Sequence, residues 1–330
     1  MADIAFEELT MAYRHELLVH CYRLLGSLTD AEDVLQDTLL AAWRGLAGFE
    51  GRASLRSWLY RIATNRCLNA RRDRDRRIPP APTPPFQPPV PSRHSDVPWL
   101  QPYPDALLGH MRDEAGPEAR YITREGVGLA FVAALQRLPP RQAAALVLCD
   151  VLGYAVGEVA LMLDTTPTAV KGLLQRARNS LRQHRDDSHG KPPAPESAEE
   201  RDLVRRFAEA FTTDDIDALV ALLTDDAWLA MPPAPHEYHG VAAVASFLQA
   251  SAAWRADRRL RLHSTRANGQ PAFICHLDGA VAQPAGLIVL TLTSDRLHGI
   301  TRFLDNRLLR HFEPSVAGVG SSRGPRHAAC

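Results

Sequence analysis

Between Pro79 and Pro104 the chain reads PPAPTPPFQPPVPSRHSDVPWLQPYP, and no other stretch constrains the fold as much. Proline lacks an amide hydrogen and fixes φ, so neither a helix nor a sheet propagates through so many of them. The stretch reads as an extended linker of polyproline character. It divides a chain of 330 residues, long enough for two or three ordinary domains, into separate units. A second tract, DDSHGKPPAPESAEE from Asp186, has the composition of another linker.

Before the first linker, from Ala5 to Arg72, apolar residues recur at helical spacing. Leu17, Leu18, Cys21, Leu24 and Leu25 form one set, Val34, Leu35, Thr38, Leu39 and Ala42 the next, and together they predict an all-helical unit. Thr29 ahead of Asp30, Glu32 and Asp33 predicts an N-cap and a helix beginning at about Asp30. A helical pattern resumes near Tyr121, passes LPPR at 138–141 and ends near Arg185. From Ala198 it changes: two helices, a short strand near Trp228, a helix near 240–252, then RLRLHSTRA, PAFICHL, GLIVLTLT and LHGITRFLD, all of strand character. Helices first and an antiparallel sheet afterwards predict an α+β unit, and the Gly- and Ser-rich tail from Pro314 predicts disorder. The expected division is a helical domain (1–78), a linker (79–120), a second helical domain (121–187), a linker (188–197), an α+β domain (198–313) and a tail (314–330).

The formal net charge is zero, but the charge is segregated. Residues 1–50 carry nine acidic side chains against three arginines, and 51–78 carry nine arginines against Asp73 and Asp75. Five cysteines without a CxxC spacing suggest neither zinc nor a disulfide framework, and no cofactor is implied. The polar, acidic start MADIAFEELT and the lack of a long apolar run predict no signal peptide and no membrane span, hence a cytoplasmic protein.

VGEVALMLDTTPTAVKGLLQRAR, from Val156 to Arg178, has the shape of helix, turn and basic helix. Val156, Val159, Ala160 and Leu163 form one apolar face. Thr166 then caps a second helix that has Pro167 at its first position. With Val170, Leu174, Ala177 and Leu181 facing inward, Thr168, Lys171, Gly172, Gln175, Asn179 and Arg182 point away. Such a face suits the recognition helix of a helix-turn-helix, although an amphipathic pair with a solvated basic side gives the same pattern. SLRSWLYRIATNRCLNARR, from Ser54, is a second basic helix. Leu55, Leu59, Ile62, Ala63 and Cys67 turn inward and Arg56, Asn65, Asn69 and Arg72 outward, where Asn suits base edges and Arg suits phosphate. Phe49, in the loop FEGRAS with Arg52, is placed to stack an extruded base or to serve as a buried staple. The helix DAEDVLQDTLLAAWR presents Asp30, Asp33, Gln36 and Asp37 on a side too acidic for DNA, which suits solvent or a basic protein.

These four segments in this order, with LQRLPPRQAAALVLCDVLGYAVGEVALML among them, resemble bacterial RNA polymerase sigma factors of the extracytoplasmic-function type. The resemblance covers about 5–78 and 121–187. It implies that Asp33, Gln36, Asp37 and Trp43 dock on the clamp coiled coil of the largest polymerase subunit, and that the flap is a second polymerase contact. It further implies that Phe49 and its loop, with Asn65 and Asn69, capture and read the opened minus-ten element of promoter DNA, and that Thr168, Lys171, Gln175 and Arg178 contact the minus-thirty-five element. The linker would thread the polymerase cleft, with DVPWLQPYPD as an anchor in which Trp99 and Tyr103 bury against protein.

The third domain resembles the SnoaL-like fold, a cone of curved sheet wrapped by helices. Its candidate pocket residues are Trp228, His239, Trp254, His298, Phe303 and Asp305, with Asp226 beside them. The reading is a non-enzymatic transcription initiation factor whose C-terminal domain either holds a small ligand or packs on the helical domains. The alternatives are a dimeric helix-turn-helix regulator and a cyclase or isomerase in the C-terminal domain.

Overall fold

Three helices open the fold: α1 (Ala2–Leu25), α2 (Leu28–Gly45) and α3 (Leu55–Arg74). The computed structural model describes residues 2–51, 53–74, 86–109, 127–183, 190–279 and 281–312; the expectations for Arg52, the helical start near Tyr121 and the tail from Pro314 lie outside them. Leu17, Cys21, Leu24 and Leu25 of α1 meet Leu28, Ala31 and Leu35 of α2 and Leu59, Ala63 and Cys67 of α3 in one buried core. Each leucine buried there contributes about 1.5–3 kcal/mol. The cap of α2 is Ser27 and not Thr29: Ser27 Oγ accepts from the Asp30 amide (3.1 Å) and the helix begins at Leu28. Thr29 sits inside the first turn, where its amide donates to the Gln101 side chain (3.0 Å).

The expected linker contains a short helix, α4 (Asp105–Gly109), and after it come α5 (Leu129–Arg137), α6 (Pro140–Leu146), α7 (Val156–Met162) and α8 (Pro167–Gln183). The prolines of LPPR stop α5 and place Pro140 at the first position of α6, where its missing N–H leaves no bond unmade. The two helical units pack on each other. Arg71 at the end of α3 donates to the carbonyls of Gln136 (3.0 Å) and Leu138 (2.9 Å), capping α5 from outside.

The C-terminal part holds α9 (Ala198–Thr212), α10 (Ile216–Leu222) and α11 (Val241–Arg255) on one seven-stranded sheet. Its strands are β1 (Arg93–His94), β2 (Leu223–Ala230), β3 (His236–His239), β4 (Leu260–Ala267), β5 (Gln270–Leu277), β6 (Gln283–Leu292) and β7 (Leu297–Phe303), in the order β1-β3-β2-β7-β6-β5-β4. β4 to β7 form the expected antiparallel meander, but the sheet is mixed, because β2 pairs with β7 in parallel. That pairing joins strands separated by α11 and the whole meander, so no local pattern announces it. Strand alternation gives the sheet two apolar faces. Phe273, Cys275, Ile288 and Leu290 share a core with the C-terminal helices, whereas Ala272, Ile274, Leu287 and Val289 belong to the core of the helical units and the linker.

The linker is an integral part of this packing. Val97, Leu100 and Tyr103 are buried and Trp99 is partly so. Residues 268 and 269 form the two-residue turn between β4 and β5, with φ of 58° for Asn268 and 73° for Gly269, the Asn-Gly pairing that such a hairpin favours. Asn268, 1% exposed, joins α1, the linker and the segment before α5 to the sheet. Its side chain donates to Tyr22 Oη (2.8 Å) and to the Val127 carbonyl (2.6 Å), and accepts from the Tyr103 amide (2.8 Å). Its own amide donates to the Tyr103 carbonyl (2.8 Å).

Candidate nucleic-acid and protein interfaces

Helix α8 is oriented by what it buries: Val170, Leu174 and Ala177 are at most 5% exposed. Thr166 Oγ1 accepts from the Ala169 amide (3.2 Å), as a cap should. Asp164 takes a left-handed φ of 49° in the turn, and Arg141 donates to the Leu163 carbonyl (2.6 Å), tying the turn to α6. Thr168, Lys171, Gln175, Arg178, Asn179 and Arg182 are all exposed on the opposite side. Arg178 is not a free cation there: it grips Asp150 through two bonds of 2.6 and 2.9 Å. Arg176 is not among the residues the sequence points to. It is exposed and lines one hollow with Thr168 and Gly172, and its basic character and position on the helix were the signal available.

On α3, Asn65, Asn69 and Arg72 form an exposed stripe, and Arg72 donates to Asn69 Oδ1 (3.2 Å). Arg56, expected to project outward, turns inward instead. Its guanidinium holds Glu16 of α1 at 2.9–3.1 Å, donates to Tyr154 Oη of the second helical unit (3.2 Å) and stacks on the Tyr60 ring (4.8 Å). A partly buried carboxylate and two aromatic faces compete better for it than solvent does. Phe49 is half-buried against Trp58, with ring centroids 4.9 Å apart, and forms one apolar platform with it.

Asp33, Gln36 and Asp37 are exposed on one side of α2, and Trp43 is 48% exposed. Asp30, Asp33 and Asp37 line a cleft of about 660 Å³ together with Asp73 of α3, the linker around Trp99, Pro232 and the segment from Phe303 to Leu308.

Of the six residues expected to share a C-terminal pocket, Phe303 and Asp305 line the cleft beside α2 together, while the others have different neighbours. Trp254 packs on the core between helices and sheet, and Phe303, 1% exposed, belongs to the core on the opposite face. Trp228 lies over Gly299, where a Cβ would come within 2.4 Å of the indole, so only glycine fits. His298 is close to Thr224 (3.2 Å) and Asp226 (3.6 Å), and His239 to Glu237 (3.0 Å). Asp305 caps the turn Asn306–His311 and pairs with Arg307 (2.7 Å), whose hydrogen bonds hold its carboxyl below the usual range. Alternation along strands sends neighbouring residues to opposite faces, which separates groups that look close in sequence.

Two helical units with solvent-facing amide and basic stripes, one acidic helix and a helix-covered sheet define a multidomain DNA-binding protein. Sigma-70 region 2 matches residues 9–77, Sigma-70 region 4 matches 128–181 and a SnoaL-like domain matches 204–311. The chain is 44% identical over 313 residues to the ECF RNA polymerase sigma factor SigG of Mycobacterium tuberculosis, covering 93% of this chain and 83% of that one. It is 34% identical over 179 residues to SigM of the same species, covering 54% of this chain and 75% of the relative. The crystal structure of M. tuberculosis SigJ shares its fold, with a TM-score of 0.59 at 20% identity, over 91% of this chain and 96% of that one. The chain belongs to the extracytoplasmic-function sigma factors, and it directs transcription initiation. These relationships favour neither a stand-alone regulator nor a C-terminal enzyme. No helix among the described residues is long and apolar enough to cross a membrane.

Proposed function

We propose that the chain joins core polymerase to promoter DNA through three faces. The acidic side of α2, with Asp33, Gln36, Asp37 and Trp43, docks on the clamp coiled coil of the largest polymerase subunit. The stripe of Asn65, Asn69 and Arg72 on α3 reads the opened minus-ten element, with the Phe49–Trp58 platform stacking an unpaired base and Arg52 contributing charge. Helix α8, held near the flap, reads the minus-thirty-five element through Thr168, Lys171 and Gln175, joined by Arg176. Arg178 and Arg56 take lesser parts, because Asp150 and Glu16 already neutralise them. The working units are the helical domains 1–78 and 121–187, the linkers 79–120 and 188–197, the α+β domain 198–313 and the tail 314–330. The C-terminal domain regulates rather than catalyses, and the protein acts in the cytoplasm beside polymerase.

The observation that carries this reading is the sorting of α8: Val170, Leu174 and Ala177 are buried while Thr168, Lys171 and Gln175 are all exposed. Run-off transcription with purified core polymerase tests it. Transcripts that require the protein, persist with Arg56→Lys and drop at least tenfold with Asn65→Ala or Asp37→Arg are expected, with Asp37→Arg also losing core in a pull-down. Undiminished transcription by Asp37→Arg and Asn65→Ala would remove both assigned interfaces.

A further inference from the structure

Residues 86–95 of the linker lie along the C-terminal domain, not free in solvent. Arg93 and His94 form β1, which pairs antiparallel with β3 at the sheet edge. The Ser92 amide donates to the Glu237 carbonyl (2.9 Å) and the Ser95 amide to the Pro235 carbonyl (2.7 Å), while the His239 amide donates to Ser92 Oγ (3.0 Å). Tyr238 Oη donates to the Pro89 carbonyl (2.9 Å), and Arg93 pairs with Glu237 (2.5 Å). Burial pushes the Glu237 carboxyl up, but hydrogen bonds from His239, Arg93 and Ser95 outweigh it and leave the group below the usual range. At the far end Phe86 lies over Trp254 (5.7 Å, 26°) and Phe247 (5.9 Å) of α11. This is strand addition to an open edge, with one aromatic anchor and prolines that fix the extended peptide in advance.

The faces assigned to promoter DNA cannot work in this arrangement. Elements centred ten and thirty-five positions upstream of a start site lie about 25 base pairs, or roughly 85 Å, apart along B-form DNA at 3.4 Å per pair. The two helical units here touch through Arg71, Gln136 and Leu138 and through Arg56 and Tyr154, and α8 itself is only about 26 Å long at 1.5 Å per residue. The units must part, and the linker that joins them must pay out. Residues 86–95 are held at the edge of the sheet, by a two-residue strand, the hydrogen bonds of Pro89, Ser92 and Ser95, the Arg93–Glu237 pair and one half-buried ring. Val97, Leu100 and Tyr103, by contrast, are buried in the core.

We propose that the open edge of β3 and the aromatic slot of Phe247 and Trp254 form a reversible clasp for linker residues 86–95, closed in the free protein and opened when core polymerase takes the linker. The proposal rests on the sigma-factor interfaces assigned above. The C-terminal domain then acts as a peptide-binding module whose ligand is its own chain, and clasp strength sets how readily the protein loads onto polymerase.

Hydrogen exchange on the full chain, alone and bound to core polymerase, tests this. Slow exchange at Ser92, Ser95 and His239 in the free protein, accelerated at least tenfold in the complex, is expected. Unchanged protection in a complex that forms normally overturns the clasp and leaves a fixed structural staple. A chain that forms no complex overturns the interface assignment itself, so the two failures are distinct. Phe86→Ala and Ser92→Pro give a second readout: each is expected to raise exchange across 235–239 in the free protein and to increase run-off yield at limiting polymerase two- to tenfold. Unchanged or lower yield, with exchange already raised, overturns the regulatory role.

Discussion

His20 sits wholly inside the first helical bundle, with Nε2 hydrogen-bonded to Thr64 Oγ1 (2.9 Å) and its ring edge-on to Tyr60 at 4.9 Å. Burial first, then the positive charges of Arg23 and Arg56, lower its pKa to about 3. The unfolded chain protonates the same imidazole near pH 6.5, so between these values the unfolded state binds more protons. The stabilisation from a neutral, buried His20 is therefore complete above pH 6.5 and is lost as the pH falls toward 3, at up to about 1.4 kcal/mol per pH unit for one proton. Urea denaturation of the full chain at pH 7.5, 6 and 5 is expected to show a falling midpoint, and His20→Gln a flatter dependence. An equal slope in both would assign the pH effect to other groups. Sequence spacing places His20 on a helix but does not say that Thr64, on another helix, would hydrogen-bond its Nε2 in the core.

At the scale of elements, α8 shows how a helix is specified and then edited. Val170, Leu174 and Ala177 recur at three- and four-residue intervals, which fixes the buried side and therefore the exposed one. Gln175→Ala is expected to cost about 1–3 kcal/mol and to relax preference at one position of the minus-thirty-five element. Lys171→Ala should weaken binding uniformly and lower the salt slope by about 1. Both are measurable by promoter binding of the assembled polymerase on a panel of altered templates across a salt series. Asp150 changes the expectation for Arg178: the loss from Arg178→Ala should be smaller than from Lys171→Ala, and Asp150→Ala, which releases the guanidinium, should raise promoter affinity. A larger loss from Arg178→Ala than from Lys171→Ala would mean that DNA displaces Asp150 at little cost.

For the whole molecule, Asn268 is the point where α1, the linker, the segment before α5 and the sheet meet. Asn268→Ala takes partners from the Tyr103 amide and the Val127 carbonyl in a buried place, at about 1–3 kcal/mol for each group left unsatisfied, while Tyr22 Oη keeps its bond to the Gln101 carbonyl (2.8 Å). It also puts alanine at a left-handed φ that asparagine tolerates. Asn268→Asp keeps the acceptor and the backbone preference but loses both side-chain donors, so an intermediate loss is expected. Urea midpoints of the three proteins check the order, and equal stability would show that water or a shifted loop replaces the hub.

The break at the prolines, the helical phases and, Arg56 apart, the sides of α2, α3 and α8 that face solvent were determined by the sequence alone. Each depends on residues within a few positions of one another, so periodicity suffices to find them, although the cap of α2 fell on Ser27 and not on Thr29. Only the tertiary structure decided that Arg56 would be taken by Glu16 and Tyr154, 40 and 98 residues away, and Arg178 by Asp150, 28 residues away. It also decided that β2 would run parallel to β7, that Phe303 and Trp254 would pack in separate cores, and that the linker would lie along β3. These outcomes follow from which distant surfaces bury one another and which buried polar groups find partners. Asn268 bonding to Tyr22 across 246 residues is settled by the sum of that packing and by no local pattern.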